Sequence, residues 1–181
     1  MKPIIERWID FESAESTIAK PVVVNFPVFR IGSYQEGGIP EGHCAGYARR
    51  VANMVFGRNY EAPEGFREAW NLQYFYRNFR VISFQDLLRL HRRELFVPGD
   101  LVAFFNPGSD YNELQRDIRG RKVEYTHIAV FMGEDISNFL RFGQQIIDER
   151  DILTDREMAR RKIVPRAIIK DELLIVKRSL Q

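Results

Sequence analysis

The sequence predicts one soluble domain that mixes helices with short strands, and three observations carry that expectation. The chain has 181 residues, 45% of them hydrophobic, enough to bury one core and tight for two. Ala45, Ala48, Val51, Ala52 and Val55 recur at helical spacing behind the single cysteine, Cys44. Short apolar runs bounded by turn residues, Leu101 to Phe105 and the stretch THIAVFMG that contains His127, have the length of strands.

Taken in order, Ile4, Ile5, Trp8, Ile9 and Ile18 share one face, which predicts an amphipathic helix over 4–19 ended by Pro21. Val22 to Phe29 is β-branched and apolar but carries Pro27, so it reads as an edge or broken strand. Residues 1–29 thus form an N-terminal extension of a single domain spanning 1–181. The stretch YQEGGIPEGHCAGYARRVANMVFG, 34–57, is the centre of the chain: Gly37, Gly38, Pro40 and Gly42 forbid regular structure before Cys44, and Gly57 stops the helix after it. Cys44 therefore falls in the first helical turn, where unpaired N–H groups and the helix dipole favour a thiolate. A buried, inert cysteine is the competing reading.

A second helix is expected over 65–79, whose aromatic residues, Phe66, Trp70, Tyr74, Phe75 and Phe79 among them, supply core or line a groove. Ser83 with Asp86 three residues on is a capping signal for a helix through Leu87, Leu88 and Leu90. His91, among Arg89, Arg92 and Arg93, reads as part of a solvated basic face. Pro98, Gly99 and Asp100 form a turn into the strand 101–105. The charged stretch 106–125 is a long loop, either at the border of the site or a surface insertion. His127 opens a strand, Gly133 to Asn138 turns the chain, and 139–142 returns. Residues 151–162 read as a charged helical excursion, and 172–178 as the last strand, so that 151–181 comprises excursion and strand.

The formal net charge is +2, which gives no support to a nucleic-acid partner. No run is long enough to span a membrane, and Glu6, Arg7 and Asp10 break up any signal peptide. Those features predict a cytoplasmic protein or one released or injected by a non-classical route. One cysteine cannot make an internal disulfide, and no metal-ligand cluster or cofactor motif is visible.

Tyr34, Gly37, Gly38, Cys44 and Gly46, then PGDLVAFFN from Pro98, then THIAVFMG, then LLIVKRSL, occur in an order that resembles the NlpC-type and CHAP-type papain-like cysteine peptidases and amidases. The resemblance implies an α+β, papain-like fold in which the Cys-bearing helix packs on a small antiparallel sheet carrying His127. It also implies a hydrolase that cleaves amide bonds, in peptidoglycan peptides above all, through a Cys44–His127 pair and a thioester, with no cofactor. The N–H of Cys44 and the Tyr34 hydroxyl would hold the oxyanion, Tyr34 as core filler being the other reading. The chain departs from the family pattern at His43, where an aspartate is common, and at Arg141, where a polar third catalytic residue is common. Arginine only donates hydrogen bonds and cannot accept the imidazole N–H, which leaves Gln144, or Asp148, for that role. An acyltransferase on the same scaffold and a catalytically inactive binding protein are the alternatives.

Overall fold

A computed structural model describes residues 44–63, 65–108, 115–146 and 149–173. The expected helix over 4–19, the strand over 22–29, Tyr34, His43, Asp148 and the segment 174–181 lie outside them. The described residues form an α+β fold: helix α1 (Cys44–Phe56), a 3-10 turn (Ala69–Asn71) running into α2 (Leu72–Phe75), β1 (Tyr76–Arg80), α3 (Phe84–Arg92), β2 (Leu101–Phe105), β3 (His127–Glu134), β4 (Leu140–Ile146), β5 (Glu149–Thr154), α4 (Asp155–Arg160) and β6 (Val164–Leu173). The strands make one antiparallel sheet in the order β1-β6-β2-β3-β4-β5.

The central strands are covered on both sides, and period-2 alternation divides their side chains between two cores. Leu101, Ala103, Ile128, Val130, Met132, Ala167 and Ile169 meet Ala45, Ala48, Val51, Ala52 and Val55 of α1. Val102, Phe104, Ala129, Phe131, Phe142 and Ile168 face the other way, toward Leu87 of α3 and Met158 of α4. Small residues on the inner stripe of α1 let the helix lie close to β3.

Local signals hold where the chain carries its own partners. Ser83 Oγ accepts the Asp86 N–H at 3.1 Å, and the Asp86 carboxylate takes the Ile82 N–H at 3.3 Å, closing the start of α3 from both directions. Gly57, at φ +65°, follows the last residue of α1. Gly99, at φ +93°, makes the turn before β2, where an added Cβ would come within 2.8 Å of Phe56 Cβ.

Three expectations are corrected. The helix over 65–79 gives way after Phe75 to strand β1, because Tyr76–Arg80 pairs with β6 and aromatic residues suit that half-buried edge. The excursion at 151–162 is mostly strand: β5 pairs with β4 from Arg141↔Thr154 to Ile146↔Glu149, and only Asp155–Arg160 is helical, capped by Thr154. The last described strand is β6, ten residues that end at Leu173, and the expected strand 172–178 lies mostly outside the described residues. Pro165 sits in β6 at a register shift against β2, the kind of position a residue without an N–H can occupy. His91 is not a solvated basic residue; its Nδ1 lies 2.9 Å from Phe96 O and its ring stands edge-on to Phe131.

Asp100, fully buried, ties the turn to the sheet. Its carboxylate accepts from Arg58 Nη2 and from Lys170 Nζ, each at 2.6 Å, and from the Val97 N–H at 3.0 Å. Arg58 also reaches Asp171 at 2.8 Å, so the end of α1, the start of β2 and the middle of β6 share one charge network. Removing the central carboxylate takes from Lys170 its buried carboxylate partner and leaves Arg58 with Asp171 alone. Asp100→Ala is expected to cost about 3–5 kcal/mol, read as a lower denaturation midpoint at unchanged m-value; a cost under about 1 kcal/mol, the range of an exposed pair, would show that the network contributes little.

Candidate active site

Cys44 is the first residue of α1 and is partly exposed. Its thiol points at the beginning of β3: Sγ lies 3.9 Å from Thr126 O, to which the S–H donates. Burial pushes the thiol up from its ordinary value. The N–H groups of Ile128 and Ala45 pull it down and the Glu68 carboxylate pushes it up further, both as smaller effects. The helix start therefore does not yield a resting thiolate. Desolvation of the anion outweighs the few N–H groups that face it, which corrects the expectation of a cysteine already ionised at neutral pH.

His127 is the first residue of β3 and is buried. Its Nε2 lies 2.8 Å from Oε1 of Gln144, which comes from β4, the neighbouring strand. The register explains the contact: Val130 pairs with Gly143 and Phe131 with Phe142, so Gln144 continues opposite Ala129 and stands diagonal to His127 on the same face. Gln144 Nε2 in turn donates to Asp151 Oδ1 at 3.0 Å, from the residue directly across in β5. Burial lowers the His127 value, with Gln144 and then the Asp151 charge raising it by less. The ring is neutral at pH 7.

Because Gln144 Oε1 is a carbonyl oxygen, Nε2 of the neutral ring carries the hydrogen and Nδ1 keeps its lone pair. Among the described residues no other group hydrogen-bonds the ring. Phe104 lies beside it, ring centroids 6.2 Å apart.

The expected pair of facing side chains is only partly assembled. His127 pairs with Phe104 in the β2 register and leaves β3 on the face of Ala129 and Phe131, whereas α1 packs on the face of Ile128 and Val130. Cys44 and His127 thus reach the first residues of β3 from its two faces, and no hydrogen bond joins thiol to imidazole. Arg141 belongs to the α1 face, opposite Gly133, and extends Nη2 to within 3.4 Å of Met132 O, away from His127. Asp151 is the residue that sequence reasoning missed. No local signal marks it, because its place beside Gln144 follows from the β4–β5 pairing.

Tyr74 and the loop before β3 supply one more polar group. Asp117 accepts from the Tyr74 hydroxyl and from the N–H groups of Arg119 and Arg121, while both arginines lie over the Tyr74 ring. That pins part of the long loop. Among the described residues no group of three His, Cys, Asp or Glu side chains gathers as for a metal, and no helix is long and apolar enough to cross a membrane. Comparison with protein-family models, with curated proteins and with solved structures returned no match.

The lowered His127 value sets a sign for stability. The unfolded chain takes up its proton near the ordinary value of 6.5 and the folded chain only at lower pH. Stability contributed by the neutral, buried ring is complete above 6.5 and is lost as pH falls toward the folded value. Denaturation midpoints measured between pH 7.5 and 5 are expected to fall for the wild type and to fall less for His127→Gln. Parallel losses would assign the effect to other groups.

Proposed function

We propose that this protein is a papain-like cysteine hydrolase that cleaves amide bonds, with cell-wall peptides as the substrate class. The observation that supports it most is the His127–Gln144 contact. It holds the ring by Nε2 and leaves Nδ1 as the base, at the strand end where the Cys44 sulfur rests beside Thr126 O. The substrate class rests on the motif resemblance alone.

In this reading the resting pair is neutral. The thiol leaves the Thr126 carbonyl and swings toward Nδ1, since hydrogen bonds of this kind often tighten only when substrate is present. Nδ1 takes the thiol proton as sulfur attacks the amide carbonyl, and the new C–S bond forms as the carbonyl π pair moves to oxygen. The N–H of Cys44 and the Tyr34 hydroxyl are the proposed donors to that oxyanion. Collapse breaks the C–N bond, Nδ1–H protonates the leaving amine, and a thioester remains. Water, deprotonated by Nδ1, then releases a carboxylic acid and the free thiol.

A second reading has specific support: the raised thiol value and the division of Cys44 and His127 between two faces of β3 favour an inactive scaffold that binds peptides. Transfer of the acyl group to an amine is the third outcome. Incubation with purified peptidoglycan fragments, with products weighed by mass spectrometry, separates them. Hydrolysis gives a new amine and a new carboxylate, and Cys44→Ala should lower the rate at least 1000-fold. Transfer gives a conjugate with an added amine and no acid, and unchanged fragments support the scaffold.

A further inference from the structure

We propose that Asp151 is a positioning residue that selects the protonated nitrogen of His127 by setting which way the Gln144 amide faces. The inference deepens the hydrolase reading and rests on it for its catalytic meaning.

A glutamine amide has two chemically different ends, a carbonyl that accepts and an NH2 that donates. The two orientations occupy nearly the same volume, so packing alone does not choose between them. At Gln144 the choice is made by chemistry. A carboxylate accepts and does not donate, so the group 3.0 Å from Asp151 Oδ1 must be the NH2. Turning the amide over would set two acceptor oxygens against each other at that distance, and Gln144 itself is only 1% exposed. The carbonyl end is therefore committed to His127, 2.8 Å away.

That commitment travels one step further. A carbonyl beside Nε2 requires hydrogen on Nε2, and in a neutral imidazole the lone pair then lies on Nδ1. An NH2 beside Nε2 would demand the opposite tautomer and leave Nδ1 protonated, unable to take a proton from a thiol. Asp151 thus decides, across two hydrogen bonds, whether the ring is a base on Nδ1, the nitrogen to which no described residue hydrogen-bonds. The register makes the arrangement rigid. Asp151 and Gln144 are directly paired on β5 and β4, and His127 follows diagonally on β3, so three adjacent strands carry one residue each. Asp151 touches neither the thiol nor a scissile bond in this account; it acts through Gln144.

The test is the tautomer itself, read from long-range 1H–15N NMR spectra of the His127 ring at pH 7.5, assigned by loss of its signals in His127→Gln. Wild type is expected to show a single Nε2–H form. Asp151→Asn keeps the shape but can present either end of its own amide, so it should give both tautomers in comparable amounts. Asp151→Glu, which keeps an acceptor-only group, should restore the single form. An Asp151→Asn ring that stays wholly Nε2–H would overturn the proposal, as would a wild-type ring protonated on Nδ1. Asp151→Ala, read in the same way, replaces Asp151→Asn if the latter fails to fold. Peptide cleavage is measured separately. A tautomer that responds while wild type cleaves nothing sinks the hydrolase reading and leaves the positioning role standing. A wild type that cleaves, with an Asp151→Asn variant unchanged in both tautomer and rate, sinks the positioning role alone.

Discussion

Strand β3 is buried on both faces, and that double burial constrains everything around it. A strand in this position must be apolar at every residue, as Ile128 to Met132 are, and any polar side chain on it must find a partner inside the protein. His127 is the single polar side chain among the first six residues of the strand. It stands at the end, where a neighbouring strand can supply Gln144 and the next one Asp151. The histidine is tolerated because the hydrogen-bond chain satisfies it, and the same chain determines its tautomer.

The two-faced strand also explains the form of the site. Helix α1 needs the Ile128 and Val130 face for its apolar stripe, so the thiol at its first residue approaches β3 from that side. Alternation sends the imidazole to the other side. The thiol rests beside Thr126 O and the imidazole beside Gln144, while the turn around Asp100 with its two cations anchors the far end of α1 against β2 and β6. Stability and site geometry are therefore coupled through α1: it is clamped through Arg58 just beyond its C-terminus and presents sulfur at its N-terminus.

What was legible in the sequence was local. The cap at Ser83, the stop at Gly57, the turn at Gly99 and the apolar strands after Pro98 and Thr126 each carry their own determinants within a few residues. Strands β1, β5 and most of β6 were not legible, because YRNFR, ERDILT and VPRAIIKDEL are too polar or too irregular to announce a strand without the neighbours that pair with them. Excluding Arg141, which cannot accept a hydrogen bond, left Gln144 and Asp148 as residues that could be picked out for the orienting role. Asp151 could not, because its role exists only in the β4–β5 register. The direction of the Cys44 shift was misread for a related reason: helix-start electrostatics can be read from sequence order, whereas the desolvation that exceeds it depends on what the fold places over the sulfur.

The proposed reaction requires Cys44 and His127 to act on each other although they enter from different faces of β3. The most direct measurement is the rate of Cys44 alkylation by iodoacetamide as a function of pH, in wild type and in His127→Ala. A slow reaction at neutral pH that rises above the ordinary thiol value of about 8.5 is expected. At pH 7 the His127→Ala rate should be lower again, by about tenfold, because the base that relieves the thiol of its proton is gone. Superimposable profiles for the two proteins would show that sulfur and imidazole do not communicate.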